Sequence, residues 1–413
     1  MVKAIRVYEY GGPEVLKWED VELGEPKSGE IKVKIKAAGI NYLDIYLRKG
    51  IVGDNTPAVP YTPGLECAGV VIAVGPEVTS CKVGDMVAYA SYPVCTYAEE
   101  QILPADRVVP IPPSIDPIVA AAVIFKGLTT HGLVRKCFKV GPGHTILYHA
   151  AAGGVGSLAC QWANALGATV IGTVSTKEKA VQAKEDGCHH VIIYKEENFV
   201  DRVMEITSGI GVDVVYDSIG KDTFEGSIAC LKLHGTLAVF GMASGEHEPL
   251  RFQKVAEKGI YYTAPSVLLY TKKPSDLLEA SKELFSNIEK GVIRVRVNHK
   301  YPLSQAAQAH SDMESQKTKE AVAVVQMDGL AVRVTTKRWA GMGEATRQVS
   351  VTVGGNGWAG MADSGGGIRC KRWPRTISVA SKTRNGCIDI DFLTVGSLRI
   401  CDSLDTKHMN MTN

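Results

Sequence analysis

The sequence predicts an α/β fold in which a doubly wound parallel sheet is joined to a β-barrel-like domain. Three observations predict it. From about residue 125, short apolar strands alternate with helical stretches of ten or more residues, the pattern of βαβ units on a parallel sheet. One strand-to-helix junction, within Thr145 through Gly156, runs from a strand through a tight turn of small residues. The first 124 residues are instead strand-rich and punctuated by Gly and Pro, with little helical periodicity.

In chain order, alternating apolar runs at Ile31–Ala37 and Ala68–Val74 predict barrel strands, and Lys82-Val-Gly-Asp85 predicts a turn. Strands of the parallel sheet are expected at Thr145–His149, Thr169–Thr173, His190–Ile193, Asp213–Tyr216, Thr236–Phe240 and Ile260–Thr263. Helices are expected between them, among them Val155–Leu166 and Lys177–Asp186, and Pro274–Lys290 closes the pattern. Residues 295–326 read as a return to the first domain, with an Ala-rich helix at Ser304–Ser315 and a last strand at Ala321–Gln326. The expected domains are therefore 1–124 completed by 295–326, 125–294, and an extension at 327–413. That extension holds three of the five tryptophans, Gly clusters at 354–357 and 365–367, and 12 Lys and Arg against 7 Asp and Glu. It shows no sustained period of 2 or 3.6, so a poorly ordered appendage is expected.

The bulk properties exclude several classes. With 45% hydrophobic and 22% charged residues and a net charge of +2, the 413-residue chain has the composition of an ordinary globular enzyme. Neither a membrane nor nucleic acid is expected as a partner. The N-terminus has no signal-peptide core, and the ten cysteines are scattered with no C-x-x-C pair, so reduced thiols and a cytoplasmic location are expected.

The strongest motif is Ala151-x-Gly153-x-x-Gly156 between a strand and a helix. Small residues there let the backbone approach a pyrophosphate, which rests on the free N–H groups of the helix N-terminus, and Gly156 lets the helix pack against the sheet. At the end of the second strand an NAD enzyme places Asp or Glu for the ribose 2′-hydroxyl. This chain has Ser175, followed by Lys179. Without the carboxylate a 2′-phosphate is not repelled, and Ser with Lys is suited to bind it, so NADPH is the expected cofactor. A helix cap at Ser175 or Thr176 followed by solvated lysines explains the same residues, and both readings hold together.

At this point the sequence resembles the quinone oxidoreductase / zeta-crystallin family, zinc-free members of the medium-chain dehydrogenase/reductases, from its start to about residue 326. The family signature is matched by Gly143-His-x-x-Leu147, Ala151-Ala-Gly-Gly-x-Gly156 and Gln161, with Asn164 departing at its last position. Gly11-Gly-Pro-Glu-Val-Leu16, Gly39-Ile-Asn-Tyr-x-Asp44, Phe125-Lys-Gly-Leu-Thr129, Tyr216-Asp-Ser-Ile-Gly220 and Ser281-Lys-Glu-Leu-Phe285 agree as well. The resemblance implies a GroES-like catalytic barrel, a Rossmann domain, a quinone as substrate and a homodimer formed near Ser266–Tyr270. It places Asn41, Tyr42 and Tyr46 on the nicotinamide side, and His131 where a relative has a cofactor-contacting Tyr. Gly154 and Val155, beside Gly153 and Gly156, meet the pyrophosphate. Ser175 and Lys179 meet the 2′-phosphate, and Tyr194 and Ser218 flank adenine and ribose. Phe240, Gly241, Met242 and Ala243 follow the fifth strand, and Pro265 and Ser266 the sixth. Two departures bear on affinity: Ala264 precedes Pro265-Ser266 where the family has Arg, and Gln316 replaces a cofactor-holding Arg, with Lys317 adjacent.

Zinc relatives in the superfamily hold the metal with a Cys and a Gly-His-Glu. Here Asn41 and Gly64-Leu65-Glu66 stand at those positions, and residues 86–100 hold only Cys95, so no metal site is expected. Without a Lewis acid the acceptor must need little activation, which suits a quinone. Tyr46 is the expected donor to a developing quinol oxygen, with Asn41 as a neutral amide beside it; Tyr46 also reads as a packed aromatic on a helix face. Lys126 is a lesser candidate for a phosphate or ribose contact. Reduction of an activated C=C bond in an alkenal or enone is the alternative chemistry. A cofactor-binding crystallin-like or RNA-binding role is the non-enzymatic one.

Overall fold

The computed structural model describes residues 1–315, 317–318 and 321–325, together with the backbone of six strands beyond them. The chain forms two units, Met1–Gln326 and Met327–Asn413. The first unit opens with β1 (Val2–Arg6) and β2 (Lys17–Val21), an antiparallel pair. Then come β3 (Glu30–Ile40), α1 (Tyr42–Lys49), β4 (Glu66–Val74), β5 (Met86–Ala90), β6 (Glu100–Pro104) and β7 (Val108–Pro110). In β3 the residues Ile31, Val33 and Ile35 are buried while Lys34 between them is exposed, the period of two that the sequence shows. From Ala37 to Ile40 every residue is buried, because this end of the strand passes under a helix.

That helix is α2 (Pro117–His131). It starts at an Asp116 cap that accepts from Ile118 N–H at 2.7 Å, has Pro117 in its first turn, and runs on into a π-type segment, Gly132–Cys137. The expected domain boundary at 124/125 therefore falls in mid-helix. Pro117–Cys137 is long and apolar enough to cross a membrane, but 78% of its most apolar window is buried in the protein. It packs against β3, β4 and β5 on one side and against α3 (Gly154–Ala165) and α9 (Pro274–Glu289) on the other.

The second sheet contains β8 (Thr145–Tyr148), β9 (Thr169–Val174), β10 (His190–Ile193), β11 (Val212–Asp217), β12 (Leu231–Val239) and β13 (Tyr261–Thr263). Its order is β10-β9-β8-β11-β12-β13, with all pairs parallel. This is the doubly wound order, whose direction reverses between β8 and β11 and leaves a crevice at the strands' carboxyl ends. The linking helices are α3, α4 (Lys177–Glu185), α5 (Phe199–Ile206), α6 (Phe224–Cys230) and α7 (Phe252–Lys258). The short α8 (Val267–Tyr270) and then α9 follow β13. The chain returns as β14 (Val297–Pro302), α10 (Ala306–Glu314) and β15 (Ala321–Val325), and β15 pairs with β3, so the C-terminal segment completes the first sheet.

In the second unit, β16 (Ala331–Arg338), β17 (Arg347–Gly354) and β18 (Arg375–Ser381) form one antiparallel sheet. A second contains β19 (Cys387–Phe392), β20 (Gly396–Cys401) and β21 (Met411–Thr412). Val349-Ser-Val-Thr-Val353 and Ile388-Asp-Ile-Asp-Phe392 alternate with a period of two, in runs so short that the Gly-rich sequence between them hides the pattern in any longer window.

Candidate functional site

The small-residue turn lies at the crevice. Ala150 takes φ +55°, and its carbonyl accepts from the Gly153 N–H at 2.8 Å, which closes the turn. Gly153 precedes α3, and no side chain caps that helix. Its first N–H groups are the ones an anion would occupy. A Cβ on Gly156 would sit 2.3 Å from the Ala150 carbonyl oxygen and 2.9 Å from the Ala151 Cα, so only glycine fits. These residues fit a dinucleotide pyrophosphate.

One strand over, Ser175 and Lys179 are half-buried at the carboxyl end of β9 and in the first turn of α4. The capping oxygen is Thr176 Oγ1, which accepts from Lys179 N–H at 3.3 Å. Tyr194 is exposed beside them, its N–H bonded to the Val174 carbonyl. After β11 and β12 the loops lie against each other: Phe240 N–H donates to the Asp217 carbonyl and Ala243 N–H to the Ser218 carbonyl. Ser218 and Phe240–Ala243 are thus brought together, while Pro265 and Ser266 lead into α8 past the sheet edge.

The barrel supplies the facing wall. Tyr46 on α1 reaches the Met242 backbone; burial pushes its phenol up to about 12, and a hydrogen bond from Met242 acts the other way. Tyr42 lies 6.3 Å from Tyr46, ring to ring, and donates to the Met313 carbonyl at 3.3 Å. Asn41, at the N-cap position of α1, donates from Nδ2 to Glu66 Oε1 at 2.9 Å.

Glu66 is the centre of this wall. Fully buried, it accepts from Asn41 Nδ2, from Phe125 N–H at 2.7 Å and from Lys126 Nζ at 2.6 Å. A Cβ on Gly39 would lie 2.1 Å from Glu66 Oε1 and 2.6 Å from the Ala121 carbonyl oxygen, so glycine is what admits the carboxylate and α2 together. Lys126, a candidate for a phosphate or ribose contact, has its ammonium committed to Glu66. His131, a candidate cofactor contact, lies between helices: Nε2 is 3.2 Å from Glu283 Oε2 on α9 and the ring is 5.9 Å from Trp162 on α3. Lys317 pairs with Asp312 at 3.7 Å, and Gln316 lies outside the described residues.

Sequence reasoning missed a buried polar chain behind this wall. Asp44 Oδ2 accepts from Asn41 N–H at 2.8 Å and from the Tyr97 hydroxyl at 3.3 Å. Tyr97 meets His310 Nε2 at 3.1 Å, His310 Nδ1 meets Arg48 Nη1 at 3.3 Å, and Arg48 pairs with Glu314 at 2.8 Å. Burial pushes Asp44 up to about 7, helped by the neighbouring Glu66, while Asn41 N–H, Lys126 and Tyr97 oppose it. Burial lowers His310 to about 3 and keeps it neutral. The signal in the sequence was Asp44 and Arg48, four residues apart and so on one face of α1, among Ile45 and Leu47. The signature Gln161 also has a role that its position did not reveal: it donates to the Arg294 carbonyl at 3.2 Å and accepts from Arg294 N–H at 2.8 Å, clamping the segment that leads back to the barrel.

The donor set does not fit a catalytic zinc. Asn41 offers a neutral amide, Leu65 is apolar, and Glu66 already holds a lysine. Among the described residues no group of three or more His, Cys, Asp or Glu is placed to hold a metal ion.

Comparison with known proteins agrees with this layout. Residues 27–113 match the alcohol dehydrogenase GroES-like domain, and residues 154–283 match the zinc-binding dehydrogenase family. A quinone oxidoreductase of Pseudomonas aeruginosa is 45% identical over 319 residues, covering 77% of this chain and 98% of that protein. A 2-haloacrylate reductase of Burkholderia sp. is 41% identical over 327 residues, 77% of this chain and 97% of that one. Among solved structures, an Escherichia coli quinone oxidoreductase complexed with NADPH aligns with a TM-score of 0.76 at 42% identity, over 78% of this chain and 99% of that chain.

Proposed function

The chain belongs to the quinone oxidoreductase family, with its GroES-like and Rossmann domains, and on that premise we propose that it binds NADPH and passes its reducing equivalents to a quinone without zinc. The observation that supports this most directly is that the Tyr46 phenol meets the Met242 backbone. The barrel's hydroxyl therefore stands at the strand ends that form the nucleotide cradle. When bound, NADPH supplies the reducing equivalents. Gly153 through Gly156 hold its pyrophosphate, Ser175 and Lys179 its 2′-phosphate, and Tyr194 and Ser218 its adenosine.

Tyr46 keeps its proton at neutral pH and donates a hydrogen bond to the oxygen that gains charge. Asn41, oriented by Glu66, steadies the ring beside it. Holding the acceptor in register is the protein's main contribution, because a quinone needs no Lewis acid. The protein acts in the cytoplasm as a homodimer; exposed Tyr261 and Tyr262 on the edge strand β13 and Leu269 on α8 support that assembly.

A second reading, reduction of an activated C=C bond, is favoured by the 2-haloacrylate reductase relative. Steady-state NADPH oxidation with a short-chain quinone beside an alkenal and a 2-haloacrylate separates the two. Turnover of the quinone that survives dialysis against a strong chelator is the expected result. Activity on the alkene alone, or activity restored only by Zn²⁺, overturns the proposal.

A further inference from the structure

One imidazole links the ends of three strands beneath the nucleotide cradle. His149 follows β8 and begins the small-residue turn, and it is fully enclosed. Its Nδ1 lies 3.0 Å from Thr173 Oγ1 near the end of β9, and its Nε2 lies 3.0 Å from Ser227 Oγ on α6. Ser227 Oγ in turn donates to Asp217 Oδ2 at 2.8 Å. Asp217 ends β11 and also accepts from Ile219 N–H at 2.8 Å, from Gly220 N–H at 3.0 Å and from the Thr223 hydroxyl. These bonds hold the loop that carries Ser218.

The direction of the chain follows from its end. A carboxylate only accepts, so the Ser227 hydrogen points to Asp217 and the Ser227 oxygen must accept from His149 Nε2–H. A neutral imidazole carries one hydrogen, so Nδ1 accepts from the Thr173 hydroxyl. Burial lowers the His149 pKa, against the pull of Asp217, and so keeps the ring neutral. Every hydrogen in the chain is thereby assigned, and each of the three linked strand ends runs into a segment that meets a different part of the nucleotide: the pyrophosphate after β8, the 2′-phosphate after β9 and the adenosine after β11. Burial in the Rossmann core would be served as well by an apolar side chain. An imidazole with both nitrogens bonded in one order sets the spacing between segments instead.

We propose that His149 is a positioning residue for the dinucleotide, holding the pyrophosphate, 2′-phosphate and adenosine segments in one register through Thr173 and Ser227. This rests on the reading that NADPH is the cofactor. Two near-isosteric variants test the two arms separately, with dissociation constants for NADPH and NADH measured by nucleotide fluorescence on the full chain in the absence of any acceptor. Thr173→Val frees the 2′-phosphate arm and is expected to weaken NADPH about fivefold to tenfold, the size of one lost hydrogen bond, while NADH changes by less than about twofold. Ser227→Ala frees the adenosine arm, which both nucleotides share, and is expected to weaken both by a similar factor. Thermal melting is recorded beside each titration. Lower melting temperatures with unchanged affinities, or an NADPH-to-NADH ratio that neither variant moves, would show an ordinary core histidine and overturn the proposal. A wild-type protein that binds neither nucleotide would instead overturn the cofactor reading on which it depends.

Discussion

Replacing Lys126 with Met removes one of three donors to a carboxylate that has no access to water. The Lys126 Nζ–Glu66 Oε1 distance is 2.6 Å, and both side chains are buried. At an effective dielectric of about 20 the attraction at that distance is on the order of 6 kcal/mol, offset in the intact protein by the cost of desolvating both ions. Taking away the ammonium alone leaves that cost for Glu66 with only Asn41 Nδ2 and Phe125 N–H as donors. The expected loss is about 3–5 kcal/mol of unfolding free energy. The double variant Lys126→Met with Glu66→Gln removes both charges; the Gln oxygen accepts from Phe125 N–H, and its NH2 donates to the Asn41 side-chain oxygen once that amide turns over. It should recover at least about 2 kcal/mol relative to the sum of the single changes. Urea denaturation followed by tryptophan fluorescence and by circular dichroism gives the cycle, with agreement of the two probes checking that one transition is being measured. A loss below about 1 kcal/mol in the single variant, or additive single changes, would mean that the pair is worth no more than a surface ion pair and would refute the reasoning.

The remaining predictions concern the cradle, the buried acid and the extension. Gly156→Ala forces a methyl group against the Ala150 carbonyl, and the resulting shift of the turn should weaken NADPH by roughly tenfold or more; unchanged affinity by fluorescence titration would show that the turn gives way freely. Lys179→Ala should weaken NADPH more than NADH, because only NADPH carries the phosphate that this charge would meet, and equal losses would remove Lys179 from the site. Asp44 is raised from 3.8 to about 7 in the folded state, so folding takes up a proton between those values. Its contribution to stability is complete below about pH 4 and lost as pH rises through about 7, an effect of at most about 4 kcal/mol. Asp44→Asn should flatten that part of the stability profile between about pH 4 and pH 7, and a variant with the wild-type slope would contradict the assignment. Deleting residues 328–413 should leave melting temperature and NADPH–quinone turnover nearly unchanged; a clear fall in either would show that the extension supports the enzyme.

The sequence by itself determined the elements and the nucleotide cradle. Strand and helix periods are local, so the parallel sheet from β8 to β13, and the return of the chain through α10 and β15, were legible from patterns spanning a dozen residues. The cradle was legible because its requirement, small residues between a strand and a helix, is met by neighbours in the chain. Tertiary structure alone decided which polar side chains meet. Glu66 finds Lys126 across 60 positions, His149 finds Ser227 across 78, and Arg48 finds His310 across 262. No local pattern encodes such partners, since a buried polar group pairs with whatever donor or acceptor packing brings within about 3 Å. For the same reason the partners of Lys126 and His131, Glu66 and Glu283, were not legible from the sequence around either residue. Where sequence placed a charged residue, the fold chose its partner, because leaving a charge buried and unpaired costs more than any single contact could return.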